Sequence, residues 1–279
     1  METPDPLLER LTPVLAAVSG VAAVALGGSR ARGAAHAGSD YDIGLYFSDD
    51  GGLDVAGLLA AVKGLVDDPQ AAAVTDVGGW GRWIVGGGWL TIAGRKVDLL
   101  YRPVERVEQV IQDCRAGRIT MDYQPGHPHG FCSAIWMGEV ALCLPLSDPR
   151  GVIAGLKAMT DPYPQKLGDA LIGRFRFEAL FSIENAQTAA HRGDQNYIAG
   201  CAFRSLSCVA QVLFALNRRY LINEKGAVEA AARLPLTIDN LSKRAGGAWR
   251  AIGLSAFDAA LVELRSIERE LARLTEAAQ

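Results

Sequence analysis

The alternation of apolar and polar residues between positions 21 and 47 predicts two β-strands joined through a glycine turn. The run Val21–Leu26 is short and apolar, as in a buried strand, and Gly27 and Gly28 end it. A second run follows, in which Asp40 and Asp42 are separated by apolar residues. The apolar residues of this run are Tyr41, Ile43, Leu45 and Phe47. Successive side chains of a strand point to opposite faces, so the two aspartates share one face and the apolar residues the other.

Helical spacing of apolar residues predicts helices at 5–18, at 54–66, after Pro103, and throughout the chain after Gln165. Asp194 is the expected N-cap of the second long helix in this last region. Pro162 and Pro164 cannot lie inside a helix, and they suggest a boundary near residue 160. We therefore predict an α+β fold. It consists of a domain of strands and helices at 1–160 and an all-α helical bundle at 161–279. Residues 139–144 are expected to form the last strand.

A further aspartate lies in a second pair of strand-like runs. The runs are 89–92 and 96–101, and the connection Ala93-Gly94-Arg95 suits a type II′ hairpin turn. Asp98 is the only acidic residue among Val97–Tyr101, and a buried carboxylate without partners costs several kcal/mol. Two interpretations follow. Asp98 pairs with Lys96 on the same strand face, or it is the third acid of a catalytic site.

Composition and charge narrow the class of protein. The chain has 279 residues, enough for two domains, and 49% hydrophobic residues. A net charge of −3 without a run of like charges argues against a nucleic-acid polymer as the main substrate. The five cysteines have no repeated spacing, which suits a reducing compartment. Residues 1–5 do not resemble a signal peptide, and no apolar stretch reaches the roughly 18 residues of a membrane span. We expect a cytoplasmic protein that does not bind membranes.

The aspartates and the glycine turn together suggest phosphate chemistry. Carboxylates two residues apart on a strand are separated by roughly 6.5 to 7 Å. Both can reach one Mg²⁺ or a pair of metals about 4 Å apart, of the kind that assists phosphoryl transfer. Glycines let the backbone approach a ligand closely, and free amides at a helix start bind anions. This order of elements predicts a triphosphate held beside its metal ions.

Gly28-Ser29, the short loop and Asp40-x-Asp42 followed by alternating hydrophobic residues resemble the signature of the polymerase-β-like nucleotidyltransferase superfamily. Its smaller members include the kanamycin, streptomycin/spectinomycin and lincosamide nucleotidyltransferases. The motif resemblance covers about residues 20 to 103. It implies a catalytic domain at 1–160 with a mixed sheet flanked by helices, and a third carboxylate on a neighbouring strand. Asp98 is the candidate for this carboxylate, as metal ligand, general base or both. The implied catalytic and Mg²⁺-binding residues are Asp40, Asp42 and Asp98, and the implied nucleotide-binding residues are Gly28, Ser29, Arg30, Tyr220 and Lys225.

The last two of these residues come from a segment of the helical region. Residues 216–226 place three cations and a tyrosine between two helices. Asn223 is a plausible N-cap that would orient Lys225 in the first helical turn, where a cation opposes the helix dipole unless an anion lies nearby. In the related antibiotic nucleotidyltransferases a helical domain closes over the nucleotide cleft and supplies Lys and Tyr to the phosphates. The resemblance therefore implies this role for Lys225, with Asn217 and Tyr220 behind it. The alternative is a solvated turn between helices.

The function predicted from these features is transfer of a nucleoside monophosphate from ATP or another NTP to a hydroxyl of a small molecule, with Mg²⁺ as cofactor. The resemblance makes aminoglycoside- or lincosamide-like antibiotics candidate acceptors, in a cleft between the domains. A sugar hydroxyl on another metabolite is equally permitted. One alternative is a protein-modifying nucleotidyltransferase of a toxin–antitoxin system, although such proteins tend to be a minimal domain alone. The other is a non-catalytic nucleotide-binding module, which would have no reason to keep three mutually repelling acids together.

Overall fold

The structure is a computed structural model that describes residues 5–33, 36, 38–49 and 52–278. Met1–Pro4, which bear on the expectation about a signal peptide, lie outside the described residues. The chain forms two compact units. The first comprises the chain up to Gln112 together with Trp136–Pro162, and the second comprises Asp113–Ile135 and the chain from Tyr163 onward. The predicted domain boundary near residue 160 stays a prediction.

The described residues contain the following elements. The strands are β1 (Val21–Leu26), β2 (Tyr41–Phe47), β3 (Gly87–Ile92), β4 (Arg95–Pro103), β5 (Met121–Asp122), β6 (Phe131–Cys132) and β7 (Leu144–Ser147). The helices are α1 (Pro6–Ala16), α2 (Gly28–Ala31), α3 (Val55–Lys63), α4 (Val104–Arg115), α5 (Ala134–Leu142), α6 (Val152–Ala158), α7 (Gln165–Ala190), α8 (Gln195–Leu216), α9 (Ala227–Ala231), α10 (Leu241–Gly253) and α11 (Phe257–Ala277). The predicted α+β class is confirmed.

The first unit contains a five-stranded mixed sheet in the order β3-β4-β2-β1-β7. Strands β2 and β4 run parallel, and the other neighbours are antiparallel. The apolar face predicted for β2 is confirmed, because its alternating residues are buried while Asp42 is half-buried. The buried residues of this face are Tyr41, Ile43, Leu45 and Phe47. Next to Asp42 the core therefore lies on the opposite face of β2, and farther along the strand Tyr46 is buried on the Asp42 face as well.

The hairpin between β3 and β4 has a turn that differs from the prediction. Ala93 and Gly94 both have positive φ angles, 51° and 69°, which is the pattern of a type I′ turn and not of type II′. The carboxylate of Asp67 accepts hydrogen bonds from both turn amides, at 2.7 Å from Ala93 and 2.8 Å from Gly94. These bonds stabilise Ala93 in the left-handed region, which is unfavourable for a residue with a side chain.

The prediction of a strand at residues 139–144 is wrong for most of that segment. Helix α5 continues to residue 142, and β7 follows and pairs antiparallel with β1. The ammonium group of Lys157 donates hydrogen bonds to the carbonyl oxygens of Val140, Ala141 and Cys143, at 2.8 to 3.2 Å. The last carbonyl groups of a helix lack partners within the helix, so this distant lysine stabilises the helical end.

The second unit contains long helices with the predicted apolar stripes. Asp194 caps α8 as expected, because its carboxylate accepts a hydrogen bond from the backbone N–H of Tyr197 at 3.1 Å. The residues predicted to point inward from α7 are all buried. They are Leu167, Leu171, Phe175, Ala179, Ile183 and Ala186.

The expectation that no apolar stretch is long enough for a membrane span needs a correction at α8. This helix has 22 residues and a mean hydropathy of 1.6 over its most apolar stretch, enough to span a membrane by length and composition. However, 67% of that stretch is buried in the structure, as in a core helix of a soluble protein. Length and composition alone are therefore weak evidence for a membrane span here.

Candidate active site

Asp42 and Asp98 lie side by side on neighbouring parallel strands. The two residues are register partners of β2 and β4, so they share one face of the sheet, about 4.8 Å apart at the backbone. Both are half-buried. Asp40 lies just before β2, two residues from Asp42. Lys96 lies two residues before Asp98 on β4 and is exposed, so the alternative of an ion pair between Lys96 and Asp98 stays open.

The glycine turn after β1 is in direct contact with Asp42. The backbone N–H of Gly27 donates a hydrogen bond to the carbonyl oxygen of Asp42 at 2.7 Å. Gly28 has a φ of 61°, and a methyl group built on it would overlap the Oδ2 atom of Asp42. Gly28 also begins the single turn of α2, which carries Ser29. The sequence pattern predicted that the turn and the carboxylate lie near each other, and the structure brings them together.

Arg30 holds the chain that leads into β2. Its guanidinium group donates to the carbonyl oxygens of Ser39, at 2.7 Å, and Asp40, at 3.2 Å. It also lies over the ring of Tyr41, 3.7 Å from the ring centre. These contacts position the start of the aspartate strand. The predicted contact of Arg30 with the nucleotide stays a prediction.

Tyr41 connects this arrangement to the start of α1. Its hydroxyl donates to the Oδ2 atom of Asp5 at 2.8 Å, while the Oδ1 atom of Asp5 accepts the backbone N–H of Leu7 as the N-cap of α1. Burial and the hydrogen bond to Asp5 raise the pKa of Tyr41 above its usual value. The hydroxyl therefore stays protonated and donates its hydrogen bond at neutral pH. This bond attaches the beginning of β2 to the beginning of α1.

The donor atoms of these aspartates suit Mg²⁺. This ion takes hard oxygen ligands, and it usually binds through one or two carboxylates together with substrate phosphates. Within the part of the chain that the structure describes, no group of three or more His, Cys, Asp or Glu side chains is placed to hold a metal by itself. Asp42 and Asp98 fit a site that substrate oxygens complete. The assignment of all three aspartates as metal ligands stays a prediction.

Lys225 lies in the second unit, in the turn before α9. Helix α9 begins at Ala227 with Gly226 as its N-cap residue, so the prediction of Asn223 as N-cap is wrong. Instead, the Oδ1 atom of Asn223 accepts the backbone N–H of Lys225 at 2.7 Å. The neighbouring Glu224 contacts the Nδ1 atom of His127 at 3.1 Å. The turn is therefore held at two points, and the Lys225 side chain is exposed.

Asn217 has a structural role in the same segment. Its amide nitrogen donates to the carbonyl oxygens of Leu213, at 2.7 Å, and Leu236, at 2.8 Å. Its Oδ1 atom accepts the backbone N–H of Leu236 at 3.0 Å. These bonds attach the loop at Leu236 to the end of α8. Tyr220 is half-buried, and its ring centre lies 4.9 Å from that of Tyr163.

The sequence interpretation missed an aromatic residue beside the aspartates. Trp89 on β3 is the register partner of Asp98, so both lie on the same sheet face. Its side chain stacks on Trp80, with ring centres 4.6 Å apart and planes at 21°, yet Trp89 is 71% exposed. The alternation of β3 could have predicted this position. Leu90 and Ile92 are buried, so Trp89 must lie on the opposite, polar face of the strand.

The mixed sheet and its paired aspartates beside a glycine turn define a domain suited to phosphoryl chemistry. Residues 8–121 match the family model described as a nucleotidyltransferase domain, and this range includes the glycine turn, the three aspartates, Arg30 and Trp89. The match supports the polymerase-β-like superfamily, and the protein is a nucleotidyltransferase. It covers less than half of the chain and ends before the long helices of the second unit. No curated protein matches the chain at a significant level.

Proposed function

We propose that the protein is a cytoplasmic, Mg²⁺-dependent enzyme that transfers AMP from ATP to a hydroxyl group of a small molecule. The observation that supports it best is the pairing of Asp42 with Asp98, with Gly28 packed against the Asp42 carboxylate. The family resemblance makes an aminoglycoside- or lincosamide-like antibiotic the proposed acceptor.

The proposed reaction joins the acceptor oxygen to the α-phosphorus of ATP. The bond from the α-phosphorus to the bridging oxygen breaks, and pyrophosphate leaves with the bonding electrons. Asp98 accepts or orients the proton of the attacking hydroxyl, which is a role for a carboxylate within hydrogen-bond reach. Gly28 and Ser29 bind the β- and γ-phosphates through backbone amides of the turn.

Asp42 and Asp98, with Asp40 as the third candidate, are the residues that would hold Mg²⁺ in this proposal. An ion held there would supply positive charge that offsets the negative charge developing on the leaving pyrophosphate. Arg30 acts indirectly, because its bonds to the carbonyl oxygens of Ser39 and Asp40 orient the aspartate strand.

The test is incubation of the purified protein with each α-³²P-labelled NTP, Mg²⁺ and a panel of hydroxyl compounds. The panel contains aminoglycosides, lincomycin, simple sugars and cyclitols. We expect a labelled product and pyrophosphate with at least one member, and a loss of both in the Asp42→Asn variant. Label transferred to the protein fraction of a lysate, with no small-molecule product, would favour the protein-modifying alternative. Nucleotide binding without pyrophosphate release in either assay would favour the non-catalytic module.

A further inference from the structure

The stacked side chains of Trp80 and Trp89, here named the tryptophan pair, form an aromatic surface beside the carboxylates. Trp89 and Asp98 are directly opposite each other on antiparallel strands, where paired Cβ atoms are about 4.5 to 5.5 Å apart. Trp89 is 71% exposed although Trp80 covers part of one ring face. An exposed indole at the edge of a catalytic centre offers a flat apolar surface within reach of a reacting group.

The loop that carries Trp80 is held by two hydrogen bonds to the residues that follow it. The carbonyl oxygen of Arg82 accepts a hydrogen bond from Arg106 at 2.7 Å. The carbonyl oxygen of Trp83 accepts one from the indole Nε1 of Trp136 at 3.1 Å. A surface that is already ordered loses little conformational entropy when a ligand binds to it. The tryptophan pair is therefore built as a stable surface and not as a mobile loop tip.

The order of residues across the sheet indicates at which end of this order each of the two substrates binds. From β1 to β3, neighbouring positions across the sheet are occupied in turn by the turn at Gly28, Asp42, Asp98 and Trp89. In phosphoryl transfer the attacking and leaving oxygens lie roughly in line on opposite sides of phosphorus. If the leaving phosphates lie at the Gly28 turn, the acceptor approaches from the side of Asp98 and Trp89.

We propose that the tryptophan pair is the acceptor subsite, and that the acceptor is a hydroxyl-bearing ring compound, a sugar or a cyclitol, stacked on Trp89. This inference rests on the proposed function. Small-molecule sites combine aromatic surfaces with a few polar groups that fix orientation, and here Asp98 is the nearest such group on the same face. A ring stacked on Trp89 presents its edge hydroxyl to Asp98. A linear alcohol would contact little of the indole.

The experiment compares wild-type protein with Trp89→Ala and Trp89→Phe. Titration calorimetry and tryptophan fluorescence measure binding of four ring probes, with and without a non-hydrolysable ATP analogue and Mg²⁺. The probes are kanamycin A, spectinomycin, lincomycin and methyl α-D-glucopyranoside. The control is Trp249→Ala on α10, which removes another partly exposed tryptophan, one outside the site. Binding of the ATP analogue is measured separately in every variant.

We expect at least one ring probe to bind wild-type protein and to change its fluorescence. Trp89→Ala should weaken that binding about tenfold or more, which corresponds to about 1.4 kcal/mol, with Trp89→Phe intermediate and Trp249→Ala unchanged. Affinity for the ATP analogue should stay within about twofold. Weaker analogue binding in Trp89→Ala with unchanged probe binding would place the nucleobase on Trp89 and overturn the inference. Absence of any Trp89-dependent probe binding would also overturn it.

The proposed function and the acceptor subsite are contradicted by different measurements. A wild-type protein that does not bind the ATP analogue with Mg²⁺ contradicts the proposed function, whatever the ring probes do. A wild-type protein that binds the analogue normally, but whose probe binding is indifferent to Trp89, contradicts only the acceptor subsite.

Discussion

Replacement of Gly28 by alanine tests the contact between the glycine turn and Asp42. Two separate effects act at this position. The backbone has a φ of 61°, a left-handed conformation that costs a residue with a side chain roughly 1 to 2 kcal/mol. In addition, the new methyl group would overlap the Oδ2 atom of Asp42, so either the carboxylate or the turn has to move.

The two effects change different properties. The backbone conformation affects the free energy of unfolding, and the overlap with Asp42 affects the transfer rate. The Asp42 side chain is only half-buried and can rotate, so most of the overlap is relieved by moving the carboxylate. We therefore expect Gly28→Ala to lower the free energy of unfolding by about 1 to 2 kcal/mol, the backbone cost alone. Displacement of a catalytic group by about 1 Å costs roughly 100-fold in rate, so transfer activity should fall by about that factor.

Gly33→Ala is the matched control. Gly33 has nearly the same backbone conformation, with a φ of 64°, but among the residues that the structure describes no atom lies within 4 Å of an added methyl group. It should lose the same stability and keep its activity. Urea unfolding gives the free energies, and pyrophosphate release with ATP, Mg²⁺ and an acceptor gives the rates. The reasoning is refuted if Gly28→Ala keeps more than about a tenth of wild-type activity, or if Gly33→Ala loses as much activity as Gly28→Ala.

Four further predictions follow from the same structure. Asp42→Asn should abolish transfer and leave the fold intact, with an equal or higher melting temperature of the ligand-free protein because one of several neighbouring negative charges is removed; a variant that still turns over freely would contradict the metal assignment. ATP with Mg²⁺ at about 100 times its Kd should stabilise the fold by about 2.7 kcal/mol in thermal unfolding, and ATP with EDTA much less; equal shifts would show that binding does not depend on the metal. Lys225→Ala should raise the KM for ATP or lower kcat without changing the melting temperature, since exposed charges contribute little to stability. Lys225→Arg should restore the kinetics only in part. Wild-type kinetics in Lys225→Ala would favour the alternative interpretation of this segment as a solvated turn. Burial lowers the pKa of His129 from 6.5 to about 4, so its neutral form is favoured in the folded state and stability is lost as pH falls below about 6.5. Between pH 7 and pH 5 this residue should account for a loss of about 2 kcal/mol in the free energy of unfolding, which His129→Gln should remove and which the exposed His191→Gln should not.

Features that depend on local periodicity were predictable from the sequence. The face of β2 that carries Asp42, the bounds of β1 and the stripe of α7 all follow from which side chains a strand or helix presents to one side. Asp40 precedes the first residue of β2, so the face that it was expected to share with Asp42 stays a prediction. The capping role of Asp194 is equally local, because an N-cap bonds only to the next few amides. The position of Asp98 on a strand was also predictable, since it lies in a short run of otherwise apolar and aromatic residues.

The relations between distant segments were decided by the tertiary structure. The pairing of Asp42 with Asp98 depends on β4 inserting parallel to β2, and nothing local to either strand specifies its neighbour. The same holds for Arg30, whose guanidinium reaches carbonyl groups that its own helical turn does not contain. Strand order also brings Trp89 next to Asp98.

Predictions from the local sequence were wrong where hydrogen bonds from a distant residue stabilise another conformation. Asp67 stabilises Ala93 in a conformation that its own side chain disfavours, and Lys157 satisfies the carbonyl groups that end α5. In both cases a side chain remote in sequence supplies hydrogen bonds that the local pattern cannot encode. The sequence by itself therefore determined which face of β2 carries Asp42. The tertiary structure decided which residues meet there, because contact between distant segments depends on how the whole chain packs.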